Sequence, residues 1–379
     1  MPGLLRPLPF VFIAIMAALP ALALADPPFT QQTARDIIAA SHKVVSPHGV
    51  QELKTIDVNG TKQWISVRGN DTRNPILLFI HGGPASPDMP LSYTFQQPWE
   101  DFFTVVQWDQ RGAGKTYRAN DPKAVEAGMT VEQMTSDATA VVQYLRKTYG
   151  KRKIFVIGHS WGSILGLNLA HQHPELLYAY IGVGQMIDMP KNEAEVYRFA
   201  MEQAKSHQNQ KAIDALKALG TYPNPSRPVT LQEIGVVRQW SSAYGGLTFG
   251  RDGFNYDADA WQLAPEYDDE DISAIGKGSK FSLDHLLPLL MNYRFANGMT
   301  FECPVFLFEG RHDETVPENI AADWFKTVKA PAKELVWFED SAHMVMQEQS
   351  GRFLDHLVHD ARPYAVEAGD AAPADIVEH

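Results

Sequence analysis

The chain has 379 residues, 45% of them hydrophobic and 21% charged, an ordinary globular balance with length for a large core and one or two domains. Its net charge of −12 argues against a nucleic-acid-binding surface, which needs a basic patch, and leans toward neutral or cationic small substrates. The single cysteine, Cys303, excludes an intramolecular disulfide, and its place before an apolar run reads as a buried, inert thiol.

Residues 1–9 carry one basic residue, Arg6, and no acid, and residues 10–25 are apolar and end in Ala23-Leu24-Ala25. These are the three regions of a secretory signal peptide, so the sequence predicts export to the periplasm or medium. Cleavage would start the mature chain at Asp26; retention would leave an N-terminal anchor. No second long apolar run follows, so no stable membrane span is expected once the signal is removed.

Residues 52–58 and 61–68 alternate around Asn59-Gly60 and predict a β-hairpin. The apolar runs 75–80 and 103–108 predict buried parallel strands. A capping-box pattern at 130–133 opens a helix expected to run to Tyr149. A strand over 153–157, a turn, a helix over 163–170 and a strand over 179–183 follow. Strands alternating with helices indicate a mostly parallel sheet covered on both faces, an α/β class. Between 189 and 299 strand patterns give way to helical stretches, at 193–206 and 211–219 among others, broken by Pro223-Asn224-Pro225 and Gly245-Gly246. Strands resume at 304–308 and 334–338, and a last helix is expected over 345–358. The predicted organisation is a signal at 1–25, a core of 26–188 and 300–362, a helical cap at 189–299, and a flexible tail at 363–379.

The turn after 153–157 reads Gly158-His159-Ser160-Trp161-Gly162. In a strand–turn–helix context this resembles the nucleophile elbow of the α/β-hydrolase fold, where a sharp turn lifts a strained serine above the sheet. A serine hydroxyl needs a base, and the base needs an orienting acid. In that fold the order is serine, acid, histidine. Asp313 follows the strand at 304–308 and His343 follows the strand at 334–338, both at carboxyl ends where α/β sheets gather their chemistry. Ser160, Asp313 and His343 are therefore the expected triad. Glu339 and Asp340 precede His343 too closely to face its ring, and His312 sits beside the acid instead of after the last strand. The oxyanion needs two fixed N–H donors, expected from Trp161 and from Gly83 in His81-Gly82-Gly83-Pro84.

No cofactor or metal is expected. Gly112-Ala113-Gly114-Lys115-Thr116 ends like a nucleotide loop, but Asp109 stands where the first glycine is needed. His171-x-His173 and His356-x-x-His359 lack the spacing of a zinc site.

His81-Gly82-Gly83-Pro84, Asp109-Gln110-Arg111-Gly112-Ala113-Gly114 and Ser160-Trp161-Gly162-Ser163 together resemble the proline iminopeptidase family of α/β-hydrolases, across roughly residues 59–344. The resemblance implies a helical cap over the site and an aminopeptidase acting on short peptides or aminoacyl amides. It also implies acidic cap residues that hold the substrate's free amine, for which Glu193, Glu195, Glu202, Glu233 and Glu266 are candidates without a distinguishing feature. Ala85 and His159 depart from the family, which usually has glycine at both places. The function expected is an exported serine hydrolase. A carboxylesterase is the rival activity and a non-catalytic binding protein the rival class; the oligomeric state is left open.

Overall fold

The computed structural model describes residues 28–251 and 255–373. The signal-peptide expectation and residues 374–379 of the tail lie outside the described residues.

One eight-stranded sheet organises the chain: β1 (Val50–Val58), β2 (Thr61–Gly69), β3 (Ile76–Ile80), β4 (Thr104–Asp109), β5 (Ile154–His159), β6 (Leu177–Val183), β7 (Val305–Gly310) and β8 (Lys333–Phe338). Their order in space is β1-β2-β4-β3-β5-β6-β7-β8, with β1/β2 and β2/β4 antiparallel and the other pairs parallel. The β1–β2 hairpin turns at Asn59 and Gly60 with φ of 46° and 77°, the two left-handed residues that a tight hairpin turn demands.

The central strands are apolar throughout because both sheet faces are covered. Along β3, Ile76, Leu78 and Ile80 join the core on one face, and Leu77 and Phe79 join the core on the other. β5 splits the same way, with Ile154 and Val156 opposite Phe155 and Ile157. Each such side chain contributes roughly 1.5–3 kcal/mol by leaving water. The helices Val131–Tyr149 and Trp161–Gln172 cover one face. Thr130 accepts from the backbone N–H of Gln133 as the capping pattern predicts. An aromatic layer fills the other face, where Trp99 stacks on Phe353 at 5.1 Å and Phe308 meets Phe353 edge-on at 5.3 Å. Cys303 is buried near this sheet's end, and burial pushes its thiol up to about 11.

Between β6 and β7 the named elements of the described residues are helices: Met189–Ser206, Gln210–Lys217, Leu231–Ala243, Asn255–Trp261 and Asp269–Leu290. This segment is bound to the core through the loop that superficially resembled a nucleotide site. Lys115 pairs with Asp271 and donates to the carbonyl of Glu266 at 2.9 Å, while the Tyr267 hydroxyl donates to Asp109. The backbones of Gly278 and Gly112 lie so close that a Cβ on Gly278 would stand 2.4 Å from the Gly112 oxygen. Lys115 is thus a clamp for the cap helix.

Two differences from the sequence reading stand out. A helix Gln31–Ser41, over a stretch assigned no element, leans on the cap through Arg35, which pairs with Asp269 at 2.8 Å. The tail reading from 363 is corrected as far as 373. Pro363–Val366 is helical with Ala365 buried, Ala371 and Ala372 are buried, and Asp370 pairs with Lys151 at 2.5 Å. Ala365 joins the apolar cluster on the aromatic face of the sheet.

Candidate active site

Ser160 stands between the end of β5 and the first turn of Trp161–Gln172, at φ 54° and ψ −121°. Its backbone N–H is held by the Val183 carbonyl at 2.9 Å. Both flanking glycines are sterically required. A Cβ at Gly162 would lie 2.0 Å from the Ile80 oxygen, and one at Gly158 would lie 2.7 Å from the Gly162 oxygen. The positive φ at a non-glycine residue is a local strain that these close backbones enforce.

Asp313 and His343 come together from two loops. His343 Nδ1 lies 2.7 Å from Asp313 Oδ2, with both side chains buried. The other Asp313 oxygen accepts from the backbone N–H groups of Thr315 at 2.9 Å and Val316 at 2.8 Å, which fixes the carboxylate. Gly184, at φ 52°, makes room for the pair, since a Cβ there would stand 2.8 Å from His343 Cε1. The backbone N–H of His343 donates to Leu247 of the cap segment at 3.0 Å, so the base is tied to the roof as well as to the sheet.

His343 and Ser160 line one cavity of about 250 Å³. Gly83, Pro84 and Asp88 form part of its wall, and Leu247, Trp261 and Leu283 close it from the cap side. The two expected oxyanion donors are joined through Gln110. Its side chain accepts from Trp161 Nε1 at 2.9 Å and donates to the His81 carbonyl at 2.8 Å, coupling the elbow to the glycine loop. The neighbouring Arg111 makes a bidentate, buried pair with Asp137, at 2.8 and 3.1 Å. As the first residue of its helix, Trp161 has a backbone N–H without an intrahelical acceptor. Ala85 sits buried at φ 60°, the left-handed conformation that glycine adopts freely and that a side chain holds only with strain.

The cap acids are engaged elsewhere. Glu193 is buried against Arg238 and Tyr222. Glu195 and Glu202 both hold Arg198, at 2.6 and 2.9 Å. Glu233 caps its own helix at Thr230 and pairs with Arg227. Glu266 lies in a separate small pocket with Arg68 and Glu100, and burial raises its pKa. None of these five lines the Ser160 cavity.

Several functional neighbours carried no sequence signal. Glu309, the penultimate residue of β7, is fully buried, and burial together with the charge of Asp313 pushes its carboxyl well above the usual range. It accepts from the Gln185 backbone at 3.1 Å. Asp88 follows the glycine loop, and only its place in the folded wall marks it. The histidine pairs earlier set aside for spacing serve as helix-face partners, His356 with Asp360 at 2.6 Å and His359 with Asp355 at 2.9 Å.

Residues 75–349 match the family described as the alpha/beta hydrolase fold. The chain is 30% identical over 311 residues to the probable aminopeptidase YbaC of Bacillus subtilis, covering 82% of this chain and 96% of that protein. It is 34% identical over 126 residues to the proline iminopeptidase of Neisseria gonorrhoeae, a match limited to 33% of this chain and 37% of that one. Among solved structures, the proline iminopeptidase of Mycobacterium smegmatis superposes with a TM-score of 0.61 at 16% identity, over 84% of this chain and all of the other, a likeness of fold.

Proposed function

The chain belongs to the α/β-hydrolase fold family, and from that premise we propose that this serine hydrolase is an aminopeptidase for short peptides or aminoacyl amides, with Ser160 as nucleophile. The observation that carries the reading is the 2.7 Å contact of His343 with Asp313, buried beside Ser160 in one cavity. Ser160 Oγ attacks the acyl carbon while His343 takes its proton. Asp313 holds the imidazole in orientation and stabilises the imidazolium. The backbone N–H groups of Gly83 and Trp161 receive the oxyanion. His343 then returns the proton to the departing amine, leaving an acyl-enzyme. Water, deprotonated by His343, attacks the acyl-enzyme and releases the acid and Ser160. The similarity to a probable aminopeptidase along nearly its whole length supports the amide over the ester reading.

A fluorophosphonate probe tests the nucleophile: it should label the wild type and not Ser160→Ala, and equal labelling of both would overturn the assignment. Alanyl-, prolyl- and leucyl-naphthylamides set against p-nitrophenyl esters test the substrate. Ester turnover without release from any aminoacyl amide would replace the aminopeptidase by an esterase.

Export is part of the same proposal and is supported by the apolar stretch 10–25 and its small-residue end. Among the described residues no helix is long and apolar enough to cross a membrane. N-terminal sequencing of the protein recovered outside the cytoplasm should begin at Asp26; an intact Met1 would contradict cleavage.

A further inference from the structure

One corner of the Ser160 cavity holds a carboxylate, that of Asp88, to which no group among the described residues donates a hydrogen bond. Asp88 is 4% exposed, and although it precedes the helical turn Met89–Thr94 its side chain caps nothing. His159 Nδ1 lies 3.8 Å from it, beyond hydrogen-bond reach, and the buried His81 also lies within its field. His159 is also 4% exposed. Its Nε2 lies 3.1 Å from the main-chain oxygen of His343, which can only accept, so Nε2 carries the hydrogen. The ring's other nitrogen, Nδ1, is buried without a hydrogen-bond partner among the described residues. A buried acceptor left unsatisfied costs about 1–3 kcal/mol. A buried carboxylate without a hydrogen-bond donor is satisfied by a ligand bearing a positive charge and N–H groups.

The corner lies where a substrate would carry such a group. A methyl placed on Gly82 would stand 3.0 Å from Ser160 Cβ and 3.4 Å from His159 Nδ1, so the nucleophile and the bare nitrogen border the same small volume. In an aminoacyl substrate the amino nitrogen is two bonds from the carbonyl carbon, roughly 2.5 Å away. A carbonyl in reach of Ser160 therefore sets its α-amine beside this wall. Asp88 is the one acid among the described residues lining the cavity.

We propose that Asp88 forms the seat for the substrate's α-ammonium group, in place of a cap carboxylate, with His159 as its neighbour in the wall. As a substrate site this rests on Ser160 acting as an aminopeptidase nucleophile; as a cation seat it can be read without catalysis. Calorimetric titration with benzylammonium and with benzyl alcohol compares a cation with a neutral ligand of similar shape. The wild type should bind the cation at least about tenfold more tightly, the scale of one charge-assisted hydrogen bond, and Asp88→Asn should bring the two together. Equal binding by the wild type, or a preference that survives Asp88→Asn, overturns the seat. In kinetics, Asp88→Asn should lower the ratio of kcat/KM for alanyl-naphthylamide to that for p-nitrophenyl butyrate about tenfold, mainly through KM. Amide cleavage with an unchanged ratio overturns the seat and leaves the aminopeptidase standing. A cation preference in a protein that cleaves no aminoacyl amide does the reverse.

Discussion

His159 Nε2 lies 3.1 Å from the main-chain oxygen of His343, and the two rings are 4.7 Å apart. The residue before the nucleophile thus holds the backbone of the base, across 184 positions of sequence. Its imidazole supplies the donor that a glycine at this place would lack.

Removing that donor should loosen the base. With an ester substrate, which has no amine, His159→Ala should lower kcat by roughly tenfold to a hundredfold with little change in KM, the scale set by small misplacements of catalytic groups. His159→Gln retains an N–H donor and should recover part of the loss. Unchanged kcat in His159→Ala would show that the contact positions nothing.

Two glycines of the helix Asp269–Leu290 should respond oppositely to the same methyl. Gly276 is exposed with nothing near its missing Cβ, so Gly276→Ala should stabilise the protein by about 0.5–1 kcal/mol. A Cβ on Gly278 would stand 2.4 Å from the Gly112 oxygen, so Gly278→Ala should destabilise and open the cap contact. Urea midpoints would settle the signs; equal shifts would mean the cap does not press on Gly112.

Asp137 gathers five donors on one buried carboxylate: Asn59 at 2.8 Å, Gln63 at 3.0 Å, Gln133 at 2.9 Å, and Arg111 twice, at 2.8 and 3.1 Å. Asp137→Ala leaves the Arg111 guanidinium buried and unpaired, a defect worth about 3–5 kcal/mol. Chemical denaturation should show a loss of that size. A loss under about 1 kcal/mol would mean water reaches Arg111.

Asp109 gives stability a pH dependence. Burial pushes its carboxyl from the ordinary 3.8 up to about 7, despite the Tyr267 hydroxyl and the Lys115 N–H that favour its charge. The folded state therefore holds a proton that the unfolded chain has released, between about pH 4 and pH 7. Its contribution is complete below pH 4 and is lost as pH rises through 7. Asp109→Asn keeps an acceptor for Tyr267 and cannot ionise, so its melting temperature should fall less than that of the wild type between pH 5 and pH 7. Parallel curves for the two proteins would place the titrating group elsewhere.

Local sequence was sufficient wherever the physics is local. The hairpin at Asn59-Gly60, the apolar runs of β3 to β7 and the elbow glycines are each dictated by a few neighbouring residues, through turn geometry, two-sided burial and steric clash. The order of Ser160, Asp313 and His343 at successive strand ends was legible for the same reason, because parallel strands deliver their carboxyl ends to one edge. What joins distant segments was not legible. That Lys115 clamps Asp271, that Glu309 lies buried beside Asp313 with its carboxyl pushed upward by burial, and that residues 363–373 pack against the sheet depend on which surfaces the fold brings together. The family resemblance implied cap acids for an amine, with five candidates, but pairing with Arg198, Arg227 and Arg238 occupies four of them, and the fifth, Glu266, lies in another pocket. The sequence by itself determined that Ser160, Asp313 and His343 stand at strand ends on one edge, since parallel strands deliver their carboxyl ends there. Tertiary structure decided which carboxylate faces the substrate, because a charge is available only where the folded chain leaves it without a partner.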